Sequence, residues 1–219
     1  MRAETGKARN RVQPVRLVVY SDYLCPWCYN ASVWLRRLEA ELAPRFEVIW
    51  KSYLLRPEPR PRDPEKFRAY TASWKGPAAE ADSGTFAPWP PGAPPPTHSV
   101  PAHRVAKAAS RLGPEAFHRI HDALLVAYFS AGRDISDGDV LNDIWRETGL
   151  DAKAFDAWET EAVLDRVLAD HEEARGLGIN GAPAARLETN EAFLTGALPL
   201  DMYRRWVGRQ LDRRATSDD

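Results

Sequence analysis

The spacing of hydrophobic positions changes several times along the chain, and each change predicts an element. Residues 15–21 (VRLVVYS) form an unbroken apolar run between polar flanks, which predicts a central strand buried on both faces. Beyond the tetrapeptide CPWC the period becomes helical: Trp34 or Leu35, Leu38 and Leu42 recur three to four apart, until Pro44 stops the pattern. Residues 46–55 (FEVIWKSYLL) then alternate, with Phe46, Val48 and Trp50 on one side, and predict a second strand. Strand, helix and strand in so short a span predict a βαβ unit with a parallel pair.

From residue 57 the character shifts. The segments RPEPRPRDPEK and FAPWPPGAPPPTH are dense in proline and read as semi-rigid surface loops rather than strands. Helical patterns follow: one around 99–112, one with Phe117, Ile120, Leu124 and Tyr128 on a single face, and one opening at SDGD. There Ser136 is expected as N-cap, Asp139 takes the capping-box position, and the helix ends by Gly149. A longer helix is expected over 152–176. Strand signals return only at GINGAPAARLETNEAFLTG (178–196), as two short strands about a Glu-Thr-Asn turn. The final helix carries Tyr203, Trp206 or Val207, and Leu211. The expected organisation is a tail over 1–14, an α/β domain built from 15–63 and 178–214, and an all-helical insertion over 64–177.

Composition narrows the function. With 44% hydrophobic residues and 8 Trp, 7 Tyr and 7 Phe, the chain carries enough apolar surface for a core and is not a disordered segment. Its 30 Lys and Arg balance 31 Asp and Glu, so no global field points to nucleic acid or a membrane surface. The basic stretch MRAETGKARNRVQPVRLVVY holds only a four-residue apolar run, short of the roughly 7–15 residues of a secretory signal, and no segment approaches a membrane span of ~18. A cytoplasmic chain is the expectation, and a reducing compartment disfavours a structural disulfide.

That turns attention to SDYLCPWCYN (21–30), which holds both cysteines of the protein, Cys25 and Cys28. Pro26 suits the first position of a helix, where its missing N–H costs nothing. Cys25 then lies at the helix start and Cys28 one turn on, within reach of a disulfide. The positive end of the helix dipole favours a thiolate at Cys25, as thiols in such positions titrate below the ordinary ~8.5. Cys25 is therefore the candidate nucleophile and Cys28 the shielded resolving thiol. Pro26 and Trp27 lie between them and tune the pair. Zinc is the rival chemistry: His118 and His121 lie three apart, and His98 and His103 flank SVPA, but neither pair has zinc-finger spacing from the cysteines. His118 and His121 read instead as a polar helix face. No nucleotide-binding or serine-hydrolase motif is present.

SDYLCPWCYN after an apolar strand, GLDAKAF (149–155) and GINGAPAARLETNEAFLTGALP near the end together resemble the DsbA family of the thioredoxin superfamily. They look closest to its cytoplasmic FrnE-like branch. The resemblance implies a thioredoxin fold (βαβ…ββα) interrupted by an all-helical insertion. It also implies that Pro183 is a cis-proline opposite the CxxC, with Ala182 turned towards a partner peptide. Family members more often carry Val or Thr before that proline, so Ala182 departs from the pattern. A second, C-terminal cysteine pair found in some FrnE-like proteins is absent from this sequence.

The function so implied is cytoplasmic thiol–disulfide exchange by Cys25 and Cys28 with a disulfide- or thiol-bearing protein or small molecule. No metal or obligatory cofactor is expected, and glutathione is an optional co-substrate. Kappa-class glutathione transferases and 2-hydroxychromene-2-carboxylate isomerases resemble the chain almost as well, but usually carry Ser or a lone Cys in place of the pair. A glutathione-dependent transferase or isomerase is accordingly the alternative, followed by a non-enzymatic thioredoxin-like peptide-binding module. Monomer and homodimer both stay open.

Overall fold

Six buried residues and the half-buried Arg16 form β1 (Val15–Ser21) at the centre of the sheet. Alternation sends Leu17 and Val19 to one face and Val18 and Tyr20 to the other, and both faces are covered. This double burial is why Leu17, Val18, Val19 and Tyr20 are apolar in succession rather than alternating. The computed structural model describes residues 13–190 and 192–216, so the tail expected over 1–14 lies almost wholly outside the described residues.

β1 leads into α1 (Pro26–Leu42) and then β2 (Phe46–Ser52), which pairs parallel to β1 from Val15↔Phe46 to Ser21↔Ser52. After a long helical stretch the chain returns as β3 (Ala184–Leu187), antiparallel to β1, and β4 (Phe193–Thr195), antiparallel to β3. The four-stranded sheet has the order β2-β1-β3-β4. Together with the final helix α8 (Leu200–Ala215), this is the βαβ…ββα arrangement expected. Trp34, Leu35 and Leu38 of α1 join Tyr203 and Val207 of α8 over the face carrying Leu17 and Val19. Each such buried side chain contributes roughly 1.5–3 kcal/mol.

Between β2 and β3 every regular element is helical: α2 (Pro64–Thr71), a 3-10 turn (Ala72–Trp74), α3 (Lys75–Ala78), α4 (Val100–Ser110), α5 (Pro114–Phe129), α6 (Gly138–Glu147), a 3-10 segment (Ala152–Glu159) and α7 (Glu161–Gly176). Their aromatic core, with Phe67, Trp74, Trp89, Tyr128, Phe129 and Trp145, is continuous with Tyr23, Leu24 and Tyr29 beside the two cysteines. α7 instead covers the second face of the sheet through Ala174.

Four local expectations are corrected. β2 stops at Ser52 rather than residue 55, because the next N–H groups leave the ladder: Tyr53 donates to Ser21 O, Leu54 to His171 Nδ1 and Leu55 to Asp22 Oδ2. The N-cap of α6 is Asp137, whose carboxylate accepts from Asp139 and Val140 N–H. Ser136 Oγ is committed to Asp134 and Thr97 instead. The helix expected over 152–176 breaks at Thr160, which is extended and whose carbonyl accepts from Arg104. The proline loop after β2 ends in a helix start: Asp63 caps Lys66 N–H and Pro64 takes the first turn of α2.

Candidate active site

The end of β1 delivers both thiols to one place. Asp22 follows the last strand residue, and its carbonyl accepts from Cys25 N–H at 3.1 Å, closing a tight turn. Asp22 is fully buried, and its carboxylate holds the turn together: Oδ1 accepts from Leu24 N–H at 2.6 Å and Oδ2 from Leu55 N–H at 2.7 Å. The chain after β2 is thereby tied to the turn that bears the cysteines. Cys25 is the N-cap of α1 and Pro26 occupies the first helical position, as the sequence led one to expect.

The two sulfurs differ. Cys25 is 5% exposed and its thiol donates to the carbonyl of Ala182 at 3.3 Å. Trp27 beside it is 38% exposed, among the few large apolar side chains left open to solvent. Cys28 is fully buried, and its sulfur accepts from Asp22 N–H at 3.4 Å. Burial first, then the hydrogen bond to Cys25 and its charge, push the Cys28 thiol well above its ordinary pKa, and the Asp22 N–H offsets part of this. Both thiols are free. Cys25, at the helix start and against the Ala182 carbonyl, is placed to exchange with a partner, while Cys28 waits beneath it, neutral and shielded.

The opposite wall comes from the start of β3. The Ala182–Pro183 peptide bond is cis, Pro183 is buried, and its carbonyl accepts from Gly196 N–H at 2.7 Å. Of the six expected site residues, Cys25 and Ala182 meet across the fold, Pro26 and Trp27 follow Cys25 in the chain, Pro183 follows Ala182, and Cys28 is buried one turn into α1.

Other side chains in this neighbourhood carried no local signal. Asn30 reaches out from α1 to Pro77 O and Gly84 N–H, and Trp34 Nε1 donates to Ala81 O. Asp22 was legible as the first residue of the D-x-x-C-P-W-C pattern of the resembled family, but its burial and its two backbone donors were not. His121 does not lie on a polar helix face: it is buried, with Tyr23 Oη 2.9 Å from its Nδ1 and Ser32 Oγ 2.9 Å from its Nε2. His118 receives Arg36 at 2.9 Å. Among the described residues no group of three His, Cys, Asp or Glu side chains is placed to hold a metal ion, and no helix is long and apolar enough to cross a membrane.

Comparison with known proteins agrees with this geometry. Residues 16–207 match the DSBA-like thioredoxin domain. The uncharacterized protein YwbO of Bacillus subtilis (strain 168) is 30% identical over 159 residues, covering 69% of this chain and 75% of that one. A solved structure from Nitrosomonas europaea superposes with a TM-score of 0.77 at 20% identity, over 91% of this chain and 98% of the other. The cytosolic disulfide reductase DsbM of Pseudomonas aeruginosa gives 0.66 at 21% identity over 90% and 99%, and its structure with GSH gives 0.64 at 23% over 90% and 100%. The chain belongs to the DSBA-like thioredoxin domain family, whose members are thiol–disulfide oxidoreductases.

Proposed function

We propose that the protein is a cytoplasmic thiol–disulfide oxidoreductase of the FrnE-like branch, in which Cys25 exchanges with the partner and Cys28 resolves the mixed disulfide. The observation that carries this reading is the asymmetry of the pair: Cys25 sits at a helix start against Ala182, next to exposed Trp27, whereas Cys28 is sealed beneath it. A partner disulfide is attacked by Cys25, one partner sulfur leaves as a thiolate, and Cys28 then displaces the other, leaving Cys25 and Cys28 bonded. Ala182 and Pro183 form the wall along which an extended partner lies, and Pro26 and Trp27 shape the near side. No metal or bound cofactor enters these steps.

Glutathione is the natural small-molecule partner to test, since a fold relative has been solved with it. In the test, Cys25→Ser abolishes reduction of insulin disulfides, and Cys28→Ser accumulates mixed disulfides with glutathione or a protein. Full activity in both variants rejects the reading. Turnover of an aromatic substrate with glutathione that survives Cys28→Ser promotes the transferase or isomerase reading instead.

A further inference from the structure

The helical segment holds a cavity that thiol exchange does not use. It measures ≈ 240 Å³ and lies between the run from α2 to α3 on one side and residues 86–88 on the other. Trp74, Phe86 and Pro88 form its walls, with Ala72, Ala78 and Ala87 between them. None of the six expected site residues lines it.

These walls are set by the core behind them. The Trp74 ring packs on Tyr128 at 5.5 Å and on Phe129 at 4.9 Å, and Phe86 lies 5.3 Å from the same Phe129. The slot is therefore formed before anything enters it, as small-molecule sites usually are. The indole Nε1–H of Trp74 is buried and has no hydrogen-bond partner, so the ring keeps an unused donor besides its apolar face.

Two charged side chains line this cavity, Arg68 and Lys75, and both are cations. Arg68 faces Glu65 at 4.0 Å, an exposed pair too long for a hydrogen bond and worth little. The Lys75 ammonium has no partner among the described residues. Thr71 contributes no free hydroxyl proton, since its Oγ1 donates to Arg68 O at 2.7 Å. The larger cavity along β2 is different in kind. Glu39, Glu47 and Asp170 line it beside Lys51, Lys107 and Arg166, and Lys107 is already paired with Asp170.

An apolar slot edged by two cations and no carboxylate fits an organic anion with its charge at one end. A dry cavity of roughly 150 Å³ takes one benzene ring, so this one has room for two fused rings. The facing Trp74 and Phe86 favour an aromatic body over an alkyl chain. Arginine and lysine hold a carboxylate or sulfonate through charge-assisted hydrogen bonds. We propose that this cavity is a binding site for a small aryl carboxylate or sulfonate. The ring lies against Trp74 and Phe86, and the anionic group is held by Arg68 and Lys75. The site is separate from the thiols and does not depend on what Cys25 and Cys28 do.

The test is a titration of the full chain with 8-anilinonaphthalene-1-sulfonate, an aryl sulfonate that fluoresces in apolar surroundings. One molecule binds per chain. 2-Naphthoate displaces it about tenfold better or more than the uncharged 2-naphthylmethanol. Arg68→Glu combined with Lys75→Glu, both at exposed positions, weakens the dye about tenfold or more, and Ala78→Phe fills the slot and abolishes binding. 2-Naphthoate also raises the melting temperature of the wild type but not of the charge-reversed chain. Trp27→Ser, at the exposed tryptophan beside Cys25, leaves the dye affinity unchanged. No binding to the wild type overturns the proposal, as does equal affinity in the charge-reversed chain or equal displacement by the alcohol. Loss of binding in Trp27→Ser also overturns it, by placing the dye at the thiols.

Discussion

The thiol of Cys25 donates to the carbonyl of Ala182 at 3.3 Å, joining residues that lie 157 apart in the chain. The contact sets the end of β1 against the start of β3, and it leaves Cys28 on the inner side of the pair. Accessibility and charge state follow from that placement.

Chemical modification reads the asymmetry directly. Iodoacetamide modifies Cys25 of the reduced native protein while Cys28 stays unmodified, because the Cys28 thiol is buried and held neutral. Peptide mass spectrometry after brief exposure checks this, with both cysteines modified once the chain is unfolded. Equal labelling of the two in the native protein contradicts the geometry.

Stability depends on pH through His121. Burial, reinforced by the charges of His118, Arg36 and His103, lowers its pKa from 6.5 to about 3. Between those values the unfolded chain binds a proton that the folded state refuses, so this contribution is complete above pH 6.5 and is lost as pH falls towards 3. His98, His118 and His171 are lowered by burial too and act in the same direction. Melting temperature therefore falls from pH 7 to pH 5, and His121→Gln, which can still meet Tyr23 or Ser32, shows a shallower fall. A slope identical to wild type refutes the assignment to His121.

Gly84, in the loop between α3 and α4, packs directly against α1. A Cβ there would lie 2.4 Å from the Tyr29 ring, which is itself stacked on Phe129 at 5.3 Å. Gly84→Ala therefore costs about 1–3 kcal/mol by overpacking, measured as a lowered urea midpoint. Since Tyr29 follows Cys28, the same variant raises alkylation of Cys28. Stability equal to wild type shows that the loop at Gly84 yields freely.

Much of this architecture is legible along the chain because it depends on neighbours in sequence. The unbroken run at 15–21 marks a strand covered on both faces, Pro26 marks a helix start, and the period of Trp34, Leu35 and Leu38 marks the face of α1 that is buried. Where a side chain answers to partners far away, the local pattern misleads. Ser136 looks like a cap, yet Thr97 and Asp134 claim its hydroxyl, and Asp137 caps in its place. Residues 53–55 look like strand, yet Ser21, His171 and Asp22 take their N–H groups. His121 looks like one polar residue among others, yet Tyr23 and Ser32 draw it into the interior.

By itself the sequence determined the opening βαβ unit, the helical block and the two thiols, since periodicity and a four-residue motif are local properties of the chain, and the resemblance of three segments to a known family implied the fold class and the kinship. Only the tertiary structure decided what surrounds those thiols. Asp22 becomes a buried anchor because Leu24 and Leu55 both donate to it, and His103 reaches the same carboxylate because α4 packs behind the turn. Burial and hydrogen bonding between residues dozens of positions apart arise only when the chain closes on itself. They separate Cys25, set against Ala182 at the mouth, from Cys28, sealed beneath it.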